Sequence, residues 1–163
     1  MSLTSKRSKS VYDLSIVFVS YNTQHLLDEA FGKAMQAAKN LHCQFIVIDN
    51  ASTDGSSEKI QRDYPQMEFI QSRTNIGFGR ANNLALRRIR GRHVLLLNTD
   101  AFVQPDTFEK TVRFMDETPD CGVLGVRLEG RDGELQTSCC YLPTALNLFL
   151  SKTGLQRFFP RVQ

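Results

Sequence analysis

The chain has 163 residues, 41% of them hydrophobic, and its 20 basic and 17 acidic side chains give a formal net charge of +3. This length suits one domain, and the near-average composition excludes wholesale disorder, collagen and coiled coil. No apolar run approaches the roughly 20 residues of a membrane-spanning helix, and the polar start lacks the apolar stretch of a signal peptide. So small a positive surplus does not argue for a nucleic-acid partner, and none is expected.

The cysteines and histidines show no metal-ligand pattern. Cys43 and Cys121 stand alone, Cys139 and Cys140 are adjacent, and the histidines make no pair at helical spacing. A structural zinc site is therefore not expected. Free thiols in a reducing cytosol are favoured over two disulfides.

Short apolar runs alternate with amphipathic stretches along most of the chain, which predicts buried strands separated by helices. We expect four strands, over 14–19, 45–48, 67–70 and 93–97. A helix follows each strand. The first helix is capped by Thr23, the second runs from about Ser56 and stops near Pro65, the third covers 78–90 and is stopped by Gly91, and the fourth runs from Pro105 to about Glu117. This alternation is typical of an α/β fold with a mostly parallel, Rossmann-like sheet and helices on both faces.

The pattern changes beyond Gly122. Extended runs over 123–128 and 134–138 flank Asp132-Gly133, a dipeptide that favours a hairpin. Apolar residues recur at helical spacing over 146–159 and form an apolar stripe. Three alternatives are open for the surface that this stripe contacts: the domain's own sheet, an acceptor-binding half or a membrane surface. We expect residues 1–12 to form a disordered basic arm or leader and residues 13–163 to form one domain.

Four consecutive strand ends carry small, amide or carboxylate side chains. They are Ser20, Tyr21 and Asn22 after the first strand, Asp49, Asn50, Ser52 and Asp54 after the second, Arg73, Asn75, Gly77 and Arg80 after the third, and Asn98 and Asp100 after the fourth. In an open parallel sheet, ligands bind outside the carboxyl ends of the strands, so we expect a ligand site at this edge. Taken singly, the segments 49–55 and 75–77 are also explained as ordinary turns.

Two nucleotide-binding motifs are rejected. Gly77-Phe78-Gly79 superficially suggests a dinucleotide fingerprint, but Asn82 replaces the third glycine and the segment follows the third strand instead of the first. The chain also contains no Gly-x-x-x-x-Gly-Lys phosphate loop. A nicotinamide site and ATPase chemistry are therefore not expected.

Asp100 is the most informative acidic residue. The three leucines at 95–97 predict a central strand ending beside it, where an unpaired carboxylate would carry a desolvation cost. Mg²⁺ or Mn²⁺ would remove this cost, because such ions take one or two carboxylates and fill their other positions with water and phosphate oxygens. The alternatives are that Asp100 caps the following turn or pairs with Arg80 or Arg92.

Four sequence blocks, in order and at similar spacing, resemble glycosyltransferase family 2, and most closely its bacterial rhamnosyltransferase-like branch. They are VSYN at 19–22, VIDNASTDGS at 47–56, NIGFGRANN at 75–83 and LLLNTD at 95–100, and shorter matches extend the resemblance over about residues 13–160. It implies a GT-A fold and an inverting transfer of a sugar. The donor would be a nucleoside-diphosphate sugar, UDP- or dTDP-linked, and the acceptor a saccharide or a lipid-linked molecule.

The same resemblance implies a nucleotide-binding set and a metal ligand. The set is Ser20, Tyr21, Asn22, Asp49, Asn50, Ser52, Asp54, Asn75, Gly77, Arg80, Asn83 and Asn98. Within it, Ser20, Tyr21 and Asn22 would line the base and ribose site, and Asp49 would accept a hydrogen bond from the base or ribose. Asn50, Ser52 and Asp54 would shape the pocket wall. Arg80 would lie near the base or diphosphate, with Asn75 and Asn83 as supporting amides.

Asp100 would hold Mg²⁺ or Mn²⁺ as the second acid of the family's Asp-x-Asp element. Asn98 stands at the first position of that element and leaves one clear carboxylate. No catalytic base is assigned, because the resemblance places it beyond Gln163. The nearby acids Asp132 and Glu134 fall in the predicted hairpin and are expected to be exposed turn residues.

We therefore expect the donor-binding part of a glycosyltransferase of cell-wall or polysaccharide biosynthesis, truncated before its acceptor-binding portion. A non-catalytic nucleotide-sugar-binding or regulatory module and a purely structural α/β domain are the alternatives. The expected location is the cytoplasm, and peripheral contact with the inner face of the membrane stays open. The oligomeric state is not predicted.

Overall fold

The computed structural model describes residues 11–130, 132–136 and 152–153. The chain divides into two compact units, Met1–Gly122 and Val123–Gln163. The predicted arm over 1–12 lies almost wholly outside the described residues, as does the apolar stripe over 146–159, and both stay predictions. Among the described residues, no helix has the length and apolar character needed to cross a bilayer.

The first unit alternates strands and helices in the order that the sequence predicts. Its elements are β1 (Tyr12–Ser20), a 3₁₀ turn (Gln24–Leu26) leading into α1 (Leu27–Ala37), β2 (Cys43–Asp49), α2 (Ser56–Asp63), β3 (Glu68–Gln71), α3 (Phe78–Leu86), β4 (Gly91–Asn98) and α4 (Thr107–Glu117). The four strands form one parallel sheet in the order β3-β2-β1-β4. The predicted α/β class with a parallel sheet is confirmed.

The register of this sheet brings the strand ends together. Ser20 lies opposite Asp49, Val19 lies opposite Asn98, and Asp49 also lies opposite Gln71. The loops that follow all four strands therefore start from the same edge, which is where ligands bind in open α/β sheets.

Helices cover both faces of the sheet. On one face, Ile16, Phe18 and Val47 join a core to which α1, α2 and α4 contribute, and the Phe31 ring lies edge-on to Phe18 at 4.9 Å and to Tyr64 at 4.8 Å between centroids. Such aromatic pairs contribute about 0.5–1.5 kcal/mol each beyond their buried area. On the other face, α3 packs through small alanines, which lets the helix approach the strands closely.

The predicted end of α3 is wrong by four residues. The helix ends at Leu86, and Gly91 begins β4 instead of stopping the helix. The backbone N–H groups of Arg90 and Gly91 donate to Ser15 Oγ at 3.3 and 2.8 Å, which draws this segment onto β1. A Cβ at Gly91 would lie 2.5 Å from Ser15 N, so glycine is required here for close approach to the strand.

The central position predicted for the leucine-rich strand is also wrong within the described sheet, where β4 is the outer strand. Val94 and Leu96, on one face of β4, are 43% and 49% exposed, because α3 packs mainly on β1 and β2. Leu95 and Leu97 point to the opposite face and join the larger core. A three-leucine run predicts a buried strand, yet here only alternate residues are covered.

The second unit contains the predicted hairpin. β5 (Leu128–Glu129) and β6 (Leu135–Gln136) pair antiparallel, with Gly133 at a φ of +80° in the connecting turn. Glu134 N donates to Asp132 Oδ1 at 3.1 Å and stabilises that turn. The strand expected over 123–128 is shorter than predicted, and residues 137–138 lie outside the described part of the chain.

Candidate functional site

Two clefts open where the strands of the first unit end. One, of about 580 Å³, is called the Ser52 cleft and is lined by Ala51, Ser52, Thr53, Gln71, Ser72 and Arg73. The other, of about 380 Å³, is called the Asp100 cleft and is lined by Val19, Tyr21, Thr23, Asn50, Asn75, Gly77, Phe78, Asn98, Thr99 and Asp100. Both clefts are built from the four loops in which the sequence places its unusual polar residues.

Asp49 is a buried carboxylate that bonds to two residues lining the Ser52 cleft. Its side chain is fully buried, and its Oδ2 accepts a hydrogen bond from Ser52 N at 3.1 Å. Its carbonyl oxygen accepts from Ser72 N at 2.8 Å, and both of these partners line the cleft. Its Oδ1 has no hydrogen-bond partner among the described residues. An unsatisfied buried acceptor costs about 1–3 kcal/mol, so this oxygen suits a ligand that brings an N–H or O–H donor.

Asn22 and Ser52 tie the loop after β1 to the loop after β2. Asn22 N donates to Ser52 Oγ at 3.0 Å, and Thr53 N donates to Asn22 Oδ1 at 2.8 Å. Asn22 adopts a left-handed backbone with a φ of +53°, which asparagine tolerates better than most residues. These bonds hold the wall of the Ser52 cleft in place without a ligand.

Asp54 anchors the same loops at the starts of two helical segments. Its Oδ2 accepts from Gln24 N at 2.9 Å, and its Oδ1 accepts from Ser56 N at 3.0 Å and from Ser56 Oγ at 2.6 Å. Burial acts to raise the pKa of Asp54, but the hydrogen bonds from Ser56 and Gln24 outweigh it and hold the pKa below its usual value. Asp54 therefore stays ionised and shapes the loop.

Asn50 and Asn75 join the loop after β2 to the loop that starts α3. Asn50 Nδ2 donates to Asn75 Oδ1 at 2.9 Å, and Asn50 Oδ1 accepts from Ile76 N at 3.0 Å. Asn75 Oδ1 also accepts from Gly77 N at 3.0 Å, at a left-handed φ of +80° that favours glycine. This clamp fixes one wall of the Asp100 cleft and occupies both polar atoms of the Asn50 side chain.

Asp100 is exposed at the Asp100 cleft and makes no hydrogen bond or ion pair with any described residue. The proposed pairing with Arg92 is wrong, because Arg92 binds Asp116 at 2.6 Å and Asp13 at 3.1 Å at the opposite end of the sheet. Asp100 forms no ion pair with Arg80 either. The desolvation cost that the sequence argument placed on Asp100 does not arise, since the residue is exposed and β4 is the outer strand of the described sheet.

The residues present fit a divalent cation only if the ligand shares in holding it. Among the described residues, no three acidic, histidine or cysteine side chains gather into a cluster that could hold an ion by themselves. Asp100 offers both carboxylate oxygens, and Asn98 is exposed beside it in the same cleft. Mg²⁺ and Mn²⁺ accept such a site when phosphate and water oxygens complete the coordination.

Sequence reasoning missed a hydroxyl chain beneath Asp100. Thr99 Oγ1 donates to Thr23 Oγ1 at 3.0 Å, and Thr23 Oγ1 lies 3.1 Å from Ser20 Oγ. Thr23 therefore does not cap the helix as predicted; it precedes the 3₁₀ turn without any capping side-chain bond. The only signal in the sequence was the position of Thr99 between two polar residues.

Six of the predicted site residues line neither cleft. Four of them bond to residues of the loops that form the clefts: Ser20, Asn22, Asp49 and Asp54. Arg80 and Asn83 are exposed on α3. Arg73, which the strand-end pattern includes but the predicted nucleotide-binding set does not, is exposed in the Ser52 cleft and brings the cleft a positive charge. Cys43 lies outside the site, and burial raises the pKa of its thiol to about 11, which keeps it protonated and unreactive.

A parallel sheet of this order, with polar clefts at the carboxyl ends of its strands, is typical of α/β proteins that bind a ligand at that edge. The model of the family "Glycosyl transferase family 2" matches residues 15–159, and the chain belongs to this family. The predicted family is confirmed.

Two curated relatives cover most of the chain. It is 27% identical over 139 residues to the putative teichuronic acid biosynthesis glycosyltransferase TuaG of Bacillus subtilis, covering 82% of this chain and 54% of TuaG. It is 23% identical over 145 residues to the N-acetylglucosaminyl-diphospho-decaprenol L-rhamnosyltransferase of Mycobacterium tuberculosis, covering 82% of this chain and 47% of that enzyme. The chain thus spans about half the length of these relatives.

Solved structures confirm the GT-A fold. S. aureus TarS 1-349 superposes with a TM-score of 0.57 at 22% identity, over 66% of this chain and 33% of TarS 1-349. The mannosyltransferase PcManGT from Pyrobaculum calidifontis superposes with a TM-score of 0.58 at 23% identity, over 64% of this chain and 32% of PcManGT. At such identities the likeness establishes the fold alone.

Proposed function

We propose that the chain is the donor-binding part of an inverting glycosyltransferase that moves a sugar from a nucleoside diphosphate to a saccharide or lipid-linked acceptor. The observation that carries the proposal is Asp49 Oδ1, a fully buried acceptor with no partner among the described residues, next to Ser52 and Ser72 of the Ser52 cleft. Family membership supports it. So do the fold relatives, because TarS has been solved with UDP and with UDP-GlcNAc, and PcManGT with GDP-Man and Mn²⁺.

The base and ribose of the donor would occupy the Ser52 cleft. There Asp49 Oδ1 would accept a hydrogen bond from a pyrimidine N–H or a ribose hydroxyl, while Asn22, Ser52 and Asp54 hold the loops that form the walls. Arg73 lies in the same cleft, where its guanidinium can donate to a base carbonyl. UDP- and dTDP-linked sugars both offer the required pyrimidine N–H.

The diphosphate and the sugar would lie in the Asp100 cleft, beside Tyr21, Asn98 and Asp100. Asp100 would hold Mg²⁺ or Mn²⁺, which when bound offsets the negative charge on the diphosphate leaving group. The hydrogen bond between Asn50 and Asn75 fixes one wall of this cleft. The donor would therefore bind without the wall having to become ordered first.

Inversion requires the acceptor hydroxyl to attack the anomeric carbon from the side opposite the diphosphate, while a general base takes its proton. Asp132 and Glu134 are exposed acids in the hairpin of the second unit, and the proposal does not use them as the base. The proposal places the base and the acceptor site in the portion of the longer relatives that this chain does not cover. Cell-wall or polysaccharide biosynthesis is the proposed process, which the similarity to a putative teichuronic acid biosynthesis glycosyltransferase supports.

Calorimetry with UDP, dTDP and GDP, each with and without Mn²⁺, tests the proposal. We expect a pyrimidine diphosphate with Mn²⁺ to bind and to stabilise the fold by about 2.7 kcal/mol at a hundred times its dissociation constant. Asp49→Asn should weaken nucleotide binding by about tenfold or more, because an amide has one acceptor oxygen and cannot accept from both Ser52 N and the ligand. Asp132→Asn, in the second unit, is the matched control. If no nucleoside diphosphate binds under any condition, the proposal is wrong.

A non-catalytic nucleotide-sugar-binding module is the second candidate. It is favoured by one observation: among the residues that the structure describes, Asp100 is the one carboxylate that lines either cleft, and Asp49 is fully buried beside them. A donor-hydrolysis and transfer assay on the chain separates the two candidates. Turnover supports the enzyme, whereas tight donor binding without turnover in the longest form of the protein supports the binding module.

A further inference from the structure

The hydroxyl chain beneath Asp100 links three parts of the site. Thr99 Oγ1 donates to Thr23 Oγ1 at 3.0 Å, and Thr23 Oγ1 lies 3.1 Å from Ser20 Oγ. Ser20 ends β1, Thr23 precedes the 3₁₀ turn, and Thr99 follows β4. The hydroxyl chain therefore connects the turn that carries Asp100 to the loop that carries Tyr21.

Thr99 is the inward-facing member of this turn. It is only 3% exposed, whereas Asn98 and Asp100 on either side of it are exposed in the Asp100 cleft. The backbone of the turn makes one bond of its own, from Ala101 N to Asn98 O at 3.2 Å. Among the described residues, the bond from Thr99 to Thr23 is the one side-chain hydrogen bond that the turn makes.

We propose that Thr99, through its hydrogen bond to Thr23, is a positioning residue that holds Asp100 in the orientation needed to share a divalent cation with a diphosphate. This inference rests on the proposed function. A cation site with one protein carboxylate has few protein ligands. Its affinity for the cation therefore depends on how well that carboxylate is held in the binding orientation before the cation arrives. Asp100 has no hydrogen-bond partner of its own among the described residues, and the buried Thr99 hydroxyl beside it supplies the missing constraint.

The chain offers variants that separate positioning from general stability. Thr99→Val removes the hydroxyl and keeps the shape of the side chain, while Thr99→Ser keeps the hydroxyl. Thr23→Val removes the same bond from the acceptor side. Thr111→Val is the matched control, because the Thr111 hydroxyl bonds to the Thr107 carbonyl at 2.9 Å within α4 and contacts neither cleft.

The primary measurement is Mn²⁺ affinity at saturating UDP, read by electron paramagnetic resonance of the unbound ion. UDP affinity without metal and the unfolding temperature without ligand are measured on the same variants. We expect Thr99→Val to weaken Mn²⁺ binding by about tenfold, as when a group that orients a metal ligand is lost. Metal-free UDP affinity should stay at the wild-type value, and Thr99→Ser and Thr111→Val should bind Mn²⁺ as the wild type does.

A double-mutant cycle tests the path through Thr23. In the Thr23→Val background, adding Thr99→Val should produce no further loss of Mn²⁺ affinity, because the bond is already absent. Full additivity of the two losses would overturn the proposed path. If Thr99→Val fails to fold, Thr23→Val alone is compared with Thr23→Ser, and equal Mn²⁺ affinities would overturn the inference.

The outcomes distinguish this inference from the proposed function. If Asp100→Asn abolishes Mn²⁺ binding while Thr99→Val binds Mn²⁺ as the wild type does, the inference is wrong and the proposed function stands. If Thr99→Val loses metal-free UDP binding to the same extent as Mn²⁺ binding, the hydroxyl has a general structural role and the inference is again wrong. If the wild type binds neither UDP nor Mn²⁺, both the proposed function and the inference are overturned.

Discussion

Replacing Asn50 by alanine should destabilise the fold strongly for a single loop residue. The Asn50 side chain is 3% exposed, donates to Asn75 Oδ1 at 2.9 Å and accepts from Ile76 N at 3.0 Å. Two lost hydrogen bonds of about 1 kcal/mol each, with part of the penalty for an unsatisfied Ile76 N–H, give a loss of about 2–4 kcal/mol in the free energy of unfolding. The start of α3 and one wall of the Asp100 cleft should loosen together.

Urea unfolding followed by circular dichroism measures this loss. Asn83→Ala is the control, because Asn83 is exposed on α3 and lines neither cleft, so its free energy of unfolding should change by no more than about 0.5 kcal/mol. Nucleotide affinity is expected to fall for Asn50→Ala and to stay unchanged for the control. A loss below about 0.5 kcal/mol for Asn50→Ala would refute the view that this amide clamp holds the two loops together.

Two further predictions concern the other end of the sheet. Gly91→Ala should lower the free energy of unfolding by about 2 kcal/mol, because the new Cβ would lie 2.5 Å from the Ser15 backbone nitrogen. Gly79→Ala is the control and should cost nothing in the same urea experiment, because a Cβ there has no neighbour within 4 Å. Equal stabilities of the two variants would contradict this. Burial raises the pKa of Cys43 from 9.0 to about 11, so its contribution to stability is complete below pH 9 and is lost as the pH rises through about 11. Cys43→Ala should remove that part of the alkaline loss in a pH series of unfolding curves, and an unchanged alkaline slope would count against it.

The structure also explains why the site exists before any ligand binds. The loops after β1, β2 and β3 are joined to one another by side-chain bonds to backbone N–H groups, such as Asn22 N to Ser52 Oγ at 3.0 Å and Ile76 N to Asn50 Oδ1 at 3.0 Å. Such cross-loop bonds reduce the ordering that a ligand must impose. The polar residues at the strand ends therefore divide between those that join the loops, like Asn50, and those with a carboxylate oxygen that has no partner among the described residues, like Asp49 and Asp100.

Local sequence was enough to predict most elements and the edge at which the site lies. Hydrophobic spacing depends only on neighbouring residues, so the strands near Ile16, Ile46, Phe69 and Leu95 and the helices between them follow from the pattern. The family also follows from sequence, because its blocks combine those strands with the polar residues after them. The helix end predicted at Gly91 was wrong because glycine has two uses: it stops helices, and it also permits close contact between strands.

The amino-acid sequence by itself determined the alternation of strands and helices, the family, and the concentration of polar side chains at one edge of a parallel sheet. Only the tertiary structure decided that β4 is the outer strand of the described sheet, that Thr23 bonds to Thr99 instead of capping a helix, and that Asp49 keeps one buried oxygen without a partner. The physical reason is range. Periodicity records what each segment buries, whereas strand order and hydrogen-bond partners depend on which distant segments meet, as with Thr23 and Thr99, 76 positions apart in the chain.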